Sequence, residues 1–134
     1  MLRKLNTKRG GFTLVEIMIV VAIIALLAAI AVPNFLRSRK RSQATQVLED
    51  LRILDAAQDQ YAIEYNKSAG SPIVWADVQK YMKRDTRLYS SNAKDLLGND
   101  FVGGSVDTTP KVSTNTFNAL SDVAPADFWS PYAP

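Results

Sequence analysis

The chain contains no cysteine and no histidine among its 134 residues. Without cysteine there is no disulfide framework and no thiolate metal site. Without histidine there is no imidazole base, no histidine-led triad and no histidine-bound zinc, which removes the commonest catalytic designs. Acid is missing from the first eleven positions, where Arg3, Lys4, Lys8 and Arg9 stand alone. Setting those four aside leaves 12 basic residues against 13 acidic ones, so the net charge of +3 belongs to the first eleven residues. A charge argument for nucleic acid would therefore be reading a leader segment.

A long apolar run is present. Residues 12–32 contain only two polar side chains, Thr13 and Glu16. That length meets the ~20 residues needed to cross a ~30 Å hydrocarbon layer. Pro33 follows, lacking a backbone donor and crowding the carbonyl four residues earlier, so the helix should end or kink there. A kink is favoured, because helical periodicity resumes. Ala44, Val47, Leu48, Leu51, Leu54, Ala57, Tyr61, Ala62 and Tyr65 recur mainly at steps of three and four, one apolar stripe of a 3.6-period helix. Arg52 can pair with Glu49 or Asp55 at a spacing of three. Residues 66–70 supply the stop. A helical rod over 12–65 would be roughly 80 Å long at ~1.5 Å per residue.

Residues 68–134 are rich in Gly, Pro, Ser, Thr, Asn and Asp. Ser71-Pro72 reads as a helix start, and Trp75, Val78, Tyr81 and Met82 predict a short helix over 73–83. Residues 101–106 read as two strand ends joined by Gly103-Gly104, and 111–118 as a further strand. About 67 residues build only a small core alone, so the stripe must supply one wall. The expected class is α+β: a long helix, membrane-spanning then amphipathic, packed on a small domain with a short helix and a few antiparallel strands. The expected division is a leader at 1–11, a transmembrane segment at 12–35, its amphipathic continuation at 36–67 and a C-terminal domain at 68–134.

The most informative stretch is Lys8-Arg9-Gly10-Gly11-Phe12-Thr13-Leu14-Val15-Glu16. Here, and at Pro33, the chain resembles the type IV pilin and type II secretion pseudopilin family. The resemblance implies cleavage between Gly11 and Phe12 by a membrane prepilin peptidase, which would also methylate the new amino group of Phe12. Glycine suits such a cut because it has no side chain to obstruct a narrow site. The leader's positive charges would hold it in the cytoplasm, although Arg37, Arg39, Lys40 and Arg41 stand at the other end of the span.

A carboxylate in an apolar span costs about 2.5–3.5 kcal/mol on insertion scales, so Glu16 points to function. Two readings stay open: it is solvated or protonated near the interface, or it pairs with a cation. In the family that cation is the amino terminus of a neighbouring subunit, which would set filament register; its own Phe12 terminus is the rival. Pro33 is either a terminator or a point of bending. The cluster at 37–41 is a solvated collar or a phosphate-binding patch. No specific nucleic acid is predicted.

Asp95, Gly98 and Asn99 match in spacing a loop of major pseudopilins, while Leu96, Leu97 and Asp100 depart from it. The secretion branch often binds calcium near its C-terminus, and Asp122 and Asp127 are the weak candidate ligands; otherwise no cofactor is expected. Phe128, Trp129 and Tyr132 are expected to pin the terminal segment.

The expectation is thus a non-enzymatic filament subunit, carried in a bacterial inner membrane with its C-terminal domain outside the cytoplasm. Its implied partners are identical or related subunits, the peptidase, a platform protein, an assembly ATPase and membrane lipid. The alternative is an exported binding domain released by signal cleavage near Ala31 in Ala29-Ile30-Ala31.

Overall fold

A computed structural model describes residues 10–134, so the basic leader charges Arg3, Lys4, Lys8 and Arg9 lie outside the described residues. The chain divides into two compact units, the first ending at Leu36 and the second comprising Arg37–Pro134.

Helix α1 runs Leu14–Glu64, with Pro33 inside it. Termination at Pro33 is therefore ruled out; the helix absorbs the missing donor and continues. Its end is built by local chemistry. Asn66 takes a left-handed conformation at φ 46°. Lys67 N–H then donates to the Ala62 carbonyl at 2.9 Å and Asn66 N–H to the Ile63 carbonyl at 3.3 Å. Those two bonds are the paired pattern that closes a helix over its last turn.

The second unit packs on one face of α1. Ala44, Val47, Leu48, Leu51, Leu54, Ala57 and Tyr61 are buried, as their spacing required. Tyr65 departs from the stripe: it is 51% exposed and stacks at 5.1 Å on Tyr61. Asp50 and Gln58 are buried although polar. Against the helix lie Val78, Met82, Leu88, Phe101, Val112, Leu120, Ala124, Trp129 and Tyr132.

Short helices α2 (Trp75–Val78), α3 (Arg87–Ser90) and α4 (Thr114–Leu120) follow, with 3-10 turns at Gln79–Tyr81 and Ala126–Trp129. The predicted helix over 73–83 is thus α2 continued by the first 3-10 turn. It starts later than Ser71-Pro72 suggested, because Pro72 sits in a bridge to Ser105.

Among the described residues no strand forms, only three isolated antiparallel bridges: Pro72 to Ser105, Lys94 to Asp100 and Val102 to Lys111. Two expectations fail here. Residues 101–106 do not fold back on one another. Val102 pairs with Lys111 through bonds of 2.9 and 2.6 Å, while Gly104 accepts from Ile73 N–H and Val106 donates to Ser71. Gly103 makes that divergence possible, at φ +123° with Pro110 Cα 3.1 Å from where a Cβ would stand. Residues 114–118 are helical because Ser113 caps α4, its hydroxyl accepting from Thr116 N–H at 3.1 Å.

Candidate functional site

Gly10 and Gly11 are exposed, and a Cβ placed on either meets nothing within 4 Å. The fold itself does not demand glycine there, so a demand for it must come from an outside partner. Phe12 is 85% exposed. Helix α1 begins two residues later with a reciprocal cap. The Glu16 carboxylate accepts from Thr13 N–H at 2.8 Å and from the Thr13 hydroxyl at 3.1 Å. Glu16 N–H in turn donates to Thr13 Oγ1 at 3.2 Å. A Thr-x-x-Glu pair at a helix start satisfies orphan donors in both directions. The carboxylate also lies at the positive end of the helix dipole, which favours it.

Beyond this cap, sixteen large apolar side chains of residues 12–36 are each at least half exposed. Helix α1 is long and apolar enough, by length and composition, to cross a membrane, and none of its apolar window is buried. Burying a large apolar side chain stabilises by about 1.5–3 kcal/mol. An all-round apolar surface of this kind is matched to lipid or to other helices.

The basic cluster divides by partner. Lys40 Nζ lies 3.0 Å from Asp122 Oδ2. Arg41 donates to the Val123 carbonyl at 2.5 Å and stands 4.6 Å over the Phe128 ring. These two residues therefore clamp the C-terminal segment, where a purely solvated collar was one expectation. Arg37 and Arg39 are exposed. The Lys40 hydrogen bond holds the Asp122 carboxyl below the ordinary range, with smaller contributions from the Lys40 and Arg37 charges. Asp127 lies in the second 3-10 turn. No group of three or more acidic side chains able to hold a metal occurs among the described residues. With Asp122 already occupied by Lys40, the pair Asp122 and Asp127 does not fit a calcium site.

The terminal aromatics lock that segment down. Trp129 is fully buried, its indole N–H donating to the Ala124 carbonyl at 3.1 Å. Tyr132 donates to Asp55 at 3.2 Å.

The loop around Asp95 is a built structural element. Asp95 is 3% exposed, and its Oδ1 accepts from Leu97 and Asn99 N–H at 2.9 Å each. Its other oxygen accepts from Thr116, which also accepts from Asn99 Nδ2 at 2.8 Å. Buried Asp50 pairs with Arg87, and burial pulls the guanidinium below its usual value while Asp95 acts in the opposite direction. Of the two acids offered for Arg52, Glu49 is taken, at 2.6 Å.

Two helix starts are written in the sequence itself. Thr13-x-x-Glu16 is a capping-box pattern, and Ser113 three places before Thr116 is a helix start. The Asp50–Arg87 pair, 37 residues apart, left no local trace.

The family described as the prokaryotic N-terminal methylation motif matches residues 6–32. The chain is 44% identical over 64 residues to the type IV major pilin protein PilA of Myxococcus xanthus, covering 48% of this chain and 29% of that one. It is 48% identical over 56 residues to the type IV wide pilus major component PilA4 of Thermus thermophilus, covering 42% and 43%. It is 35% identical over 60 residues to the type II secretion system core protein G of Klebsiella pneumoniae, covering 45% and 43%. The chain thus spans less than half the length of each of these relatives. No solved structure matches it.

Proposed function

We propose, from an N-terminal segment that matches the prokaryotic N-terminal methylation motif and resembles type IV pilins and type II secretion core proteins, that this chain is a structural subunit of a pilus-like filament or secretion pseudopilus. It is made as a precursor, cut between Gly11 and Phe12, methylated on the Phe12 amino group, and assembled through α1. A prepilin peptidase makes the cut, and a platform protein and an ATPase drive assembly, as the resemblance implies. The precursor crosses the inner membrane once, with the second unit outside the cytoplasm.

One observation carries the reading: an apolar first half of α1 with none of it buried, whose head is Gly11-Phe12-Thr13 with Glu16 one turn in. Such a surface is stable only in lipid or against like helices. The glycine fits a peptidase because nothing in the fold requires it. The resemblance adds a further role for Glu16, pairing with the new Phe12 terminus of a neighbouring subunit.

Mass spectrometry of the mature N-terminus tests the proposal. Protein extracted from cell envelopes should begin with methylated Phe12. A chain that retains its first eleven residues, or begins at Val32 after signal cleavage, overturns the reading.

A further inference from the structure

Four cations stand at the start of the second unit: Arg37, Arg39, Lys40 and Arg41. Chains that cross a membrane keep Lys and Arg mainly on the cytoplasmic side. Under the proposed topology these four lie on the other side, so their placement works against insertion and calls for a compensating contact. Two of them find it within the second unit. Lys40 pairs with Asp122 at 3.0 Å, and Arg41 donates to the Val123 carbonyl and lies over the Phe128 ring. Arg37 and Arg39 do not. Both are exposed, and neither joins an ion pair or side-chain hydrogen bond among the described residues. Arg37 adds only the weakest of the influences acting on Asp122.

Their position along the chain fixes their depth in a bilayer. From Leu14 to Leu36 the helix is roughly 34 Å long at ~1.5 Å per residue. A hydrocarbon layer is ~30 Å thick, and its polar headgroups extend that to ~40–45 Å. The layer is therefore filled by the time the chain reaches Leu36, and Arg37 and Arg39 follow at the level of the headgroup phosphates.

Their placement around the helix identifies the kind of partner. A step of two residues is roughly 200° of rotation at ~100° per residue and only ~3 Å of rise. Arg37 and Arg39 therefore leave opposite sides of α1 at nearly one height. A nucleic acid or a protein docking from one side reaches one of them and misses the other. A plane that surrounds the helix reaches both together, and the surface of a leaflet is such a plane. The chemistry agrees, because a guanidinium presents a planar fork of donors that matches phosphate oxygens. Its apolar stem also lies comfortably along the edge of the hydrocarbon while the charged head stays in the polar layer.

We propose that Arg37 and Arg39 bind the phosphates of anionic lipids in the leaflet on the second unit's side of the membrane. The inference deepens the membrane-spanning reading above and rests on it. Anionic headgroups are preferred to zwitterionic ones because no amine of their own offsets the phosphate charge. Each cation held near an anionic surface strengthens the attraction about fivefold. The contact belongs to the chain held in lipid. It fixes the depth of an unassembled chain, and it is broken when the helix leaves the bilayer, so it adds to the work of extraction.

The test uses the full chain, whose lack of cysteine lets Ser38→Cys carry a single fluorescent label between the two arginines. Labelled chains are placed in equimolar phosphatidylcholine and phosphatidylglycerol vesicles, with bromine on the acyl chains of one lipid or the other. Bromine quenches only at short range, so the label reads the lipids beside it. Brominated phosphatidylglycerol should quench roughly threefold more than brominated phosphatidylcholine. With Arg37→Gln and Arg39→Gln together the two should quench alike, while Lys40→Gln should keep the parental preference because Asp122 already holds that charge. Near-ultraviolet circular dichroism of buried Trp129 checks that each variant is folded. Equal quenching in the parent overturns the proposal. So does a preference that survives the paired Gln substitutions, or one that Lys40→Gln abolishes as fully. Duplex DNA that relieves the quenching assigns the arginines to nucleic acid and equally overturns it. A label that neither lipid quenches defeats the membrane-spanning reading itself, an outcome distinct from the others.

Discussion

Glu16 performs two separable tasks under the proposed function, and a single pair of substitutions divides them. Its carboxylate caps α1 through Thr13, and glutamine serves that position of a capping box as well as glutamate does. Glu16→Gln therefore keeps the cap and discards the charge, while Glu16→Ala discards both. If register depends on charge, both variants are cleaved and neither enters filaments, as immunoblots of sheared material will read. Parental filament yield from Glu16→Gln would leave the residue with capping alone. A different residue responds to alkali. The Tyr81 hydroxyl donates to Glu64, and that bond foremost, with burial and the Glu64 charge, pushes the phenol from 10.0 up to about 12. A folded value above the unfolded one means the contribution is complete below pH 10 and is lost as pH rises through about 12. Tyr81→Phe should remove the highest-pH tyrosinate step from an ultraviolet titration and flatten the fall in melting temperature over that range. Sequence reading at this scale works when partners are close neighbours. Thr13 and Glu16 are three residues apart and legible; Asp50 and Arg87, meeting only because α3 packs on α1, are not.

At the scale of elements, the period of α1 was legible from Ala44 to Tyr61, because a long helix repeats its burial rule every turn, and it failed only at the fraying end, where Tyr65 is exposed. The elements after it are three to seven residues long, too short for a period to emerge. Their identity rests on single caps and crossings instead. Residues 114–118 look strand-like by composition and become helical through Ser113. Residues 101–106 look like a hairpin and diverge at Gly103 towards two separate partners. The loop at Asp95, read only through its likeness to a pseudopilin loop, is held by local bonds from Leu97 and Asn99, and its closing partner Thr116 left no trace in the sequence. The C-terminal segment depends on Arg41, which joins a hydrogen bond to Val123 with stacking on Phe128. A hydrogen bond to a charged group contributes about 1.5–3 kcal/mol, and cation–π stacking about 0.5–1 kcal/mol at exposed sites. Discounting for the solvent around Arg41, Arg41→Ala should lower stability by about 2 kcal/mol in urea titrations of the second unit. Arg41→Lys should fall between, since ammonium keeps the charge and loses the planar fork. Unchanged amide exchange over residues 122–132 in Arg41→Ala would show that the aromatics hold this segment unaided.

Taken as a whole molecule, the chain places all of its apolar burial in one unit and almost none in the other. Every buried side chain of the core lies between Ala44 and Tyr132, while residues 12–36 expose sixteen large apolar groups. If each gains even about 1–2 kcal/mol on leaving water, the unrealised burial is on the order of 20 kcal/mol, more than the roughly 5–15 kcal/mol that holds a typical domain folded. Such a surface is untenable in water and well suited to a chain that exchanges lipid for neighbouring helices. The second unit builds its core from its own residues: α1 contributes its wall from Ala44 onward, and Arg41 and Lys40 complete the clamp on the C-terminal segment. A chain beginning at Arg37 should therefore be soluble without detergent, monomeric in gel filtration, and as stable as the second unit of the full chain to within about 1 kcal/mol. The margin allows for fraying of a first turn that no longer continues from the helix before it. A truncated chain that melts far lower, or that aggregates as the full chain does in water, would mean that residues 12–36 support the fold as well as anchoring it.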